Sequence, residues 1–377
     1  MHPSQPLNMA KYKKIFLKIH LWLSIPAGII ITITCLSGAL LTFEKELMEL
    51  TSPHTYRVEH RDGERLPLSS LLTRVQTSLP EGVEITGATL PSDPQRTIQI
   101  MTTEGKNSSV YTDPYTGKIT GKGGRTPFFQ TLLRLHRWIL DSPRESKYGG
   151  KVIVGISTLA LVFILISGFI VWLPKSWRSA GSRLRIRVDR GLFRFWHSLH
   201  TAGGAIVFPL LLLMALTGLT WSFGWYRSAV FKIFGVEKSA EITKADDKPA
   251  PQEEPLKGSE LFAAWQNASE EITKQGDFER IMLSNRSAWV THYHLGNAFQ
   301  SDRYDFDRRG NVVTIVPYSH NDSLSKARGW IYSLHVGAWA GIVGRILTCL
   351  AALVGAALAP TGYYLWIRRL RRSSSRR

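Results

Sequence analysis

Long apolar runs alternate with polar stretches along this chain. Each of the four runs has about 24 residues. As a helix rising 1.5 Å per residue, such a run is about 36 Å long and crosses a bilayer core of about 30 Å. The first run is longer than the apolar part of a signal peptide, so we expect it to remain in the membrane. The pattern predicts transmembrane helices at His20–Phe43, Gly150–Leu173, His200–Phe223 and Ile342–Trp366.

The net charge of +18 is concentrated in the short polar segments. Lysines and arginines before the first run, between the second and third, and after the fourth are accompanied by a single acidic residue, Asp189. The two long polar segments are nearly balanced in charge. This bias follows the positive-inside rule. We therefore predict a multi-pass protein of the bacterial inner membrane, with both termini cytoplasmic and the long segments periplasmic. Membrane lipid is an expected partner, and nucleic acid is not.

The predicted fold class is an α-helical membrane protein with four transmembrane helices in two parallel repeats and extracytoplasmic α+β domains. A stretch rich in Lys, Asp, Glu, Pro and Ala, Lys238–Lys257, is expected to be a flexible linker. In chain order, the segments are a cytoplasmic N-terminus with transmembrane helix 1 (1–43), a periplasmic domain (44–149) with an interfacial helix (126–141), helix 2 (150–173), a basic cytoplasmic loop (174–196), helix 3 (197–223), a second periplasmic domain (224–341), helix 4 (342–367) and a basic tail (368–377).

Motifs recur in the two halves of the chain. His20 precedes Gly38 by 18 residues, and His200 precedes Gly218 by the same interval. Two spans per half give both halves the same orientation, so we expect a pseudo-two-fold axis along the membrane normal. Both halves also contain a Leu-His pair before the returning helix, at His136 and at His335. In each returning helix the glycine of a Ser/Thr-Gly pair precedes a tryptophan by four residues, at Gly168–Trp172 and Gly362–Trp366. Each half further contains a strand–turn–strand pattern with Asp and Gly in the turn, at Val110–Ile119 and Tyr304–Val313.

Four histidines occupy these duplicated positions. The predicted topology places His20 and His200 at the cytoplasmic ends of their helices, and His136 and His335 on the periplasmic side. A pseudo-two-fold axis brings equivalent residues face to face, which is the arrangement that bis-histidine haem requires. Because 18 residues make five full helical turns, each histidine shares a face with its glycine. We expect the glycines to allow a macrocycle to approach the helix closely.

Other interpretations of these residues remain open. A single histidine near a membrane boundary is often an interfacial anchor, and a Ser-Gly pair often serves helix packing. His197 lies one turn before His200 and is an alternative ligand. A metal other than haem iron is also possible, and His292-x-His294 is a weak candidate for one because a third ligand is missing.

Several cations lie close to the histidines and could pair with haem propionates. Arg137, Lys151 and Arg345 are the candidates on the periplasmic side, and Arg194 is the candidate on the cytoplasmic side. They could equally be interface anchors. The two cysteines, Cys35 and Cys349, lie inside apolar runs, and no Cys-x-x-Cys-His motif occurs. Covalent c-type haem is therefore excluded, and any haem would be of the b type.

Together these motifs resemble the PepSY-associated transmembrane family of iron-regulated bacterial inner-membrane proteins. The segment Tyr111–Ile119 is similar to the end of a PepSY domain. Leu135–Trp138 and Ser167–Pro174 are similar to the second helix of the family. Leu334–Gly337 and Thr361–Trp366 are similar to its fourth helix. The resemblance spans most of the chain and is weakest over residues 44–100 and 224–300.

The resemblance implies a di-haem reductase of ferric siderophores. About two b-type haems per chain, bound by His20 with His200 and by His136 with His335, would pass electrons to a periplasmic ferric siderophore and release Fe(II). The electron donor, cytoplasmic or quinone, stays open. Two alternatives are a PepSY-bearing regulator or partner-binding protein without redox activity, and a haem conduit to quinone or another periplasmic acceptor.

Overall fold

The computed structural model describes residues 9–58, 63–105, 108–141, 149–174, 176–236 and 256–374. Most of the linker predicted over Lys238–Lys257 lies outside these ranges. The chain divides into two compact units, and each is described by itself. The helical unit contains Met1–Phe43, Pro127–Ile233 and Ile331–Arg377, and the sheet unit contains Glu44–Thr126 and Phe234–Trp330.

Helices account for most of the helical unit and for part of the sheet unit. Short turns of other helix types also occur at Trp177–Ser179, Leu199–Gly203 (a π turn), Tyr318–His320 and Ala338–Ala340. The α-helices of the described residues are α1 (Met9–Leu41), α2 (Glu44–Thr51), α3 (Pro53–Tyr56), α4 (Leu68–Ser78), α5 (Pro127–Trp138), α6 (Gly150–Trp172), α7 (Ala180–Arg183), α8 (Leu192–Ser198), α9 (Gly204–Ser222), α10 (Gly224–Ile233), α11 (Gly258–Lys274), α12 (Ser323–Val336) and α13 (Gly341–Ser374).

Four helical segments of the described chain are long and apolar enough to cross a membrane, which confirms the four predicted spans. Three of them extend beyond the apolar runs. Basic residues lengthen the first and the last helix, and the largely aromatic turns of Leu192–Leu199 lengthen the third. The third span is continuous through α8, the π turn and α9. The segments are Lys11–Leu41, Gly150–Trp172, Leu192–Ser222 and Ala338–Arg372.

The spanning helices pack in a two-fold pattern. Helix α1 packs against α6 and α13, and α9 packs against the same two helices. Pro360 inside α13 has no N–H, so the carbonyl of Ala356 lacks its helical donor. The hydroxyl of Thr32 in α1 donates to that oxygen at 3.3 Å. The proline thus leaves a free carbonyl that links two neighbouring helices through a polar contact.

Strands from both halves of the chain form one antiparallel sheet. Their order across the sheet is β4-β3-β2-β1-β5-β6-β7-β8, so the two halves meet where β1 pairs with β5. Ala88 is opposite Leu283 at this junction. The eight strands of the described residues are β1 (Ile85–Pro91), β2 (Ile98–Thr102), β3 (Ser109–Thr112), β4 (Ile119–Lys122), β5 (Arg280–Ser284), β6 (Ser287–Thr291), β7 (Asp302–Phe306) and β8 (Val312–Val316).

The two polar segments, assigned to separate domains from the sequence, therefore share one sheet and one core. Helices α4 and α11 pack against each other, and Leu71, Leu72 and Trp265 belong to the same buried cluster. The sheet unit is also shorter than the predicted domains. It excludes α5 and the end of α12, which pack on the spanning helices instead.

Both predicted hairpins are present. The carboxylate of Asp113 accepts the N–H of Tyr115 at 2.8 Å in the turn between β3 and β4, and that of Asp307 accepts the N–H of Arg309 at 2.8 Å in the turn between β7 and β8. Gly117 and Gly310 have positive φ angles of 72° and 88°. Side-chain bonds of aspartate to the backbone two residues ahead, followed by glycine, are the reason for these turns.

Candidate functional site

The four duplicated histidines form two pairs, and each pair takes one ring from each half of the chain. The ring centroids of His20 and His200 are 6.1 Å apart with an interplanar angle of 86°. Those of His136 and His335 are 6.2 Å apart with an angle of 61°. His20 belongs to the first pair, and Gly38, in the same helix α1, contacts His136 of the second pair. These two residues are separated by about 27 Å along the helix.

Each imidazole is held by a backbone carbonyl of a neighbouring helix. In every case the acceptor is the residue four positions before one of the duplicated glycines, and the Nδ1–O distance is 2.9–3.0 Å. A carbonyl can only accept, so Nδ1 carries a proton, and in the neutral ring Nε2 then keeps its lone pair for a metal. The bonds run from His20 to Ile164, from His136 to Thr34, from His200 to Leu358 and from His335 to Met214.

The duplicated glycines make room for these rings. A Cβ atom on Gly38 would lie 2.8 Å from Cε1 of His136, and one on Gly168 would lie 2.9 Å from Cε1 of His20. Gly218 and Gly362 stand in the same relation to His335 and His200, both at 3.1 Å. We expected the glycines to face a macrocycle. The structure instead places a histidine of an adjacent helix against each, because sequence spacing does not reveal which neighbour occupies the gap.

The hydroxyl groups next to the glycines distinguish the two halves. All four donate to the helix backbone, as Thr217 does to the Leu213 carbonyl at 2.7 Å. In the second half the same oxygens also lie near Nδ1 of a histidine. The distance is 3.0 Å from Thr217 to His335 and 3.1 Å from Thr361 to His200. Among the described residues, the corresponding serines of the first half make no such contact.

The donor set fits haem better than a simple metal ion. A metal–imidazole bond is about 2.0 Å long and a ring centroid lies about 1.1 Å from its nitrogen, so two axial imidazoles have centroids roughly 6.2 Å apart. Both observed separations agree with this value. Each pair supplies two ligands, whereas structural zinc needs four. Haem completes its own coordination with ring nitrogens. Within the described ranges, no group of three or more His, Cys, Asp or Glu side chains suits a metal ion.

A cavity of about 1350 Å³ surrounds the His20–His200 pair. Its walls are apolar side chains and glycines of all four spanning segments. Its rim is strongly basic, and no acidic residue lines it among the described part of the chain. Arg194, the predicted cytoplasmic-side candidate, is one of these cations. The lysines and arginines of the lining are Lys14, Lys18, Arg183, Arg185, Arg187, Arg194 and Arg369.

His197 lies at the cavity but not in the pair. Its exposed ring is 6.2 Å from the ring of Phe193, whereas His200 is opposite His20. The π turn Leu199–Gly203 contains His200. A π turn adds a residue to the helical register and is frequent at functional sites. The geometry therefore favours His200 over His197 as a ligand.

Cations near the other pair contact aromatic rings and backbone. The guanidinium of Arg137 lies 4.5 Å from the centre of the Trp138 ring. That of Arg345 lies 4.9 Å from the Phe43 ring and donates to the carbonyl of Thr42. These contacts fit the anchoring interpretation. Lys151 is exposed at the start of α6.

Trp221 is a neighbour of the His136–His335 pair that the sequence did not indicate. Its ring centroid is 5.1 Å from that of His335. The equivalent position of the first half is Leu41, so the duplication gave no signal. His292 and His294 lie beyond the end of β6 rather than on it. The Nε2 atom of His292 is 3.1 Å from the carboxylate of Asp302.

His136 and His335 lie in helices outside the four spans, and burial controls their protonation. Burial lowers the pKa of His335 to about 4 and also lowers that of His136, and the charges of neighbouring residues act in the same direction. Both rings are therefore neutral near pH 7, which is the form that binds metals.

These features define a multi-pass membrane protein in which duplicated Ser/Thr-Gly sites hold two pairs of histidines. The model of one protein family, the PepSY-associated TM region, matches residues 17–369, so the chain belongs to this family and the resemblance is confirmed. A comparison with curated proteins finds no match.

Proposed function

We propose that the chain is a haem-binding reductase of the bacterial inner membrane that reduces ferric siderophores in the periplasm. His20 with His200, and His136 with His335, would hold two b-type haems. The observation that carries the proposal is the centroid separation of 6.1 and 6.2 Å in two pairs at opposite ends of the spanning helices.

A bound haem supplies reversible one-electron transfer. The protein contributes the orientation of the ligands. Each Nδ1–H bond to a carbonyl fixes a ring and its tautomer, and each glycine keeps the ring close to the adjacent helix. The basic rim beside His20 and His200 would neutralise propionate carboxylates, with Arg194 as one donor.

The proposed substrate rests on the family resemblance and on the predicted orientation. The positive-inside bias predicts that the His136–His335 pair lies toward the periplasm, where a ferric chelate that has not crossed the inner membrane would be available. Reduction adds one electron to Fe(III) and gives Fe(II). Hard oxygen ligands hold Fe(II) less firmly, so the chelator releases it.

The first experiment measures haem in the purified protein. Cells supplied with haem should yield a red-brown protein with a sharp absorption band, and acid acetone should extract about two haems per chain because no cysteine tethers them. A colourless, folded preparation would refute haem binding and would favour a PepSY-bearing partner-binding protein without redox activity.

The second experiment tests the acceptor. The protein is reconstituted in vesicles, reduced, and mixed with external ferric siderophore and the impermeant Fe(II) chelator ferrozine. We expect Fe(II) to be trapped outside while the haem spectrum returns to the oxidised form. Oxidation by quinone but not by ferric siderophore would identify the protein as a conduit to another acceptor. Fe(II) trapped only inside would overturn the orientation.

A further inference from the structure

We propose that the basic rim of the His20–His200 cavity is the docking site for a soluble, phosphate-bearing electron donor. The inference rests on the proposed function and names the class of donor that it lacks. A donor is needed because every electron given to ferric siderophore must be replaced. The alternatives are an anionic molecule from the cytoplasm and a neutral quinol from the bilayer.

The charge of the rim exceeds what a haem requires. Seven lysines and arginines line the cavity, against the pair of propionate carboxylates that a haem brings. No acid of the described residues lines the cavity to compensate them. Most of the positive charge would therefore remain when haem is bound. Such a cleft attracts anions and raises their association rate, whereas a neutral quinol gains nothing from it.

The cations are arranged around the cavity rather than scattered over one face of the membrane. Arg183, Arg185 and Arg187 of the basic loop line it, whereas Arg178 and Arg190 of the same loop do not. A topology signal alone requires only that cations lie on the cytoplasmic side. The volume of about 1350 Å³ also exceeds the upper end of the range typical of small-molecule sites, about 1000 Å³.

The proposed donor is a reduced flavin nucleotide, which carries a phosphate and gives up electrons one at a time. Oxidation of one reduced flavin releases two electrons and two protons. The electrons reduce two one-electron acceptors of the protein, and the protons pass to cytoplasmic water. No bond to the protein forms or breaks.

Flavin mononucleotide and riboflavin are suitable probes because they share one ring system and differ by the phosphate. The haem-loaded protein in nanodiscs is mixed with either reduced flavin, and haem reduction is followed by stopped-flow absorbance. At low salt we expect the mononucleotide to react about tenfold faster or more. The advantage should disappear at about 1 M salt, where screening is nearly complete. Equal rates at low salt would overturn the proposal.

A matched pair of variants tests the location. Arg185→Gln with Arg187→Gln should lose most of the preference for the mononucleotide, and Arg178→Gln with Arg190→Gln should keep it. Both double variants remove the same charge from the same loop. An equal loss in both would show that general surface charge, not the cavity, attracts the donor, and would overturn the proposal.

Two further readouts separate the competing explanations. If anionic lipid headgroups occupy the rim, the faster reaction of the mononucleotide will be seen in phosphatidylcholine discs but not in phosphatidylglycerol discs. That result would overturn the proposal of a soluble donor. Fluorescence anisotropy of the oxidised flavins measures binding without electron transfer. We expect the mononucleotide to bind and riboflavin not to bind. If dithionite reduces the haem but the protein binds both flavins equally, this inference is refuted and the proposed function stands. If the purified protein contains no haem, the proposed function is refuted, and the anisotropy measurement still shows whether the rim binds the mononucleotide.

Discussion

The imidazole of His136 lies edge-on against Gly38, with Cε1 at 2.8 Å from the position that a Cβ on residue 38 would occupy. A methyl group cannot fit there unless the ring moves. Because the same ring donates to the Thr34 carbonyl at 2.9 Å, a displaced ring would lose its orienting bond as well. The glycine is therefore part of the histidine site.

Gly38→Ala should accordingly remove the haem of the His136–His335 pair and spare that of the His20–His200 pair. The measurement is haem content together with the absorption spectrum of the purified variant. Gly203→Ala is the control, since a Cβ there would meet its nearest neighbours at an ordinary 3.5 Å. Retention of both haems in Gly38→Ala would contradict the assigned packing.

Replacing the ligands one at a time should group them by pair. His136→Ala and His335→Ala should lose one and the same haem, while His20→Ala and His200→Ala should lose the other. Redox titration of each variant would show which component has disappeared. If a variant of one pair removed the component assigned to the other, the pairing would be wrong.

His197 gives a direct check on the ligand of the second half. Because His197 is outside the pair, His197→Ala should retain both haems, whereas His200→Ala should lose one. Spectra that show the reverse would move the ligand to His197. The exposed position of its ring makes that outcome inconsistent with the structure.

The hydroxyl of Thr217 should influence the potential of the haem bound by His335. Its oxygen is a second acceptor near Nδ1, at 3.0 Å, and additional acceptors make an imidazole a stronger donor to the metal. Thr217→Val should raise the midpoint potential by some tens of millivolts, since a tenfold change in relative affinity equals about 59 mV for one electron. Ser37→Ala is the matched control, because Ser37 makes no such contact with His136.

Trp265 tests whether the two halves of the sheet fold as one. Its side chain is fully buried and its indole N–H donates to the Asn285 carbonyl at 2.7 Å. Trp265→Ala should cost about 3–5 kcal/mol. Hydrogen exchange should then accelerate in β2 and β3 of the first half as well as in β6. Exposed Tyr293→Ala should change stability by no more than about 0.5 kcal/mol. Faster exchange confined to the second half would contradict a shared core.

The sequence predicted the helices and strands of this protein better than it predicted which of them pack or pair with one another. The spans follow from uninterrupted apolar runs, and the hairpins follow from Asp and Gly at fixed turn positions. The pairing of β1 with β5 has no local signal, because Ala88 and Leu283 are 195 residues apart in the sequence and two membrane-spanning segments lie between them. The spacing of His20 and Gly38 showed a shared face. It could not show that Gly38 receives His136, since that depends on how α5 packs on α1.

The junction of β1 with β5 makes the two halves of the chain depend on each other. A single half would expose the edge of β1 and would contain one ring of each histidine pair, so it could complete neither the sheet nor a site by itself. Two identical copies would satisfy both needs by joining edge to edge. The chain thus has the arrangement of a symmetric homodimer joined into one polypeptide, with both histidine pairs at the interface between its halves. A single polypeptide allows the two halves to differ, and serine beside the duplicated glycines of the first half against threonine in the second is a difference that no homodimer could have.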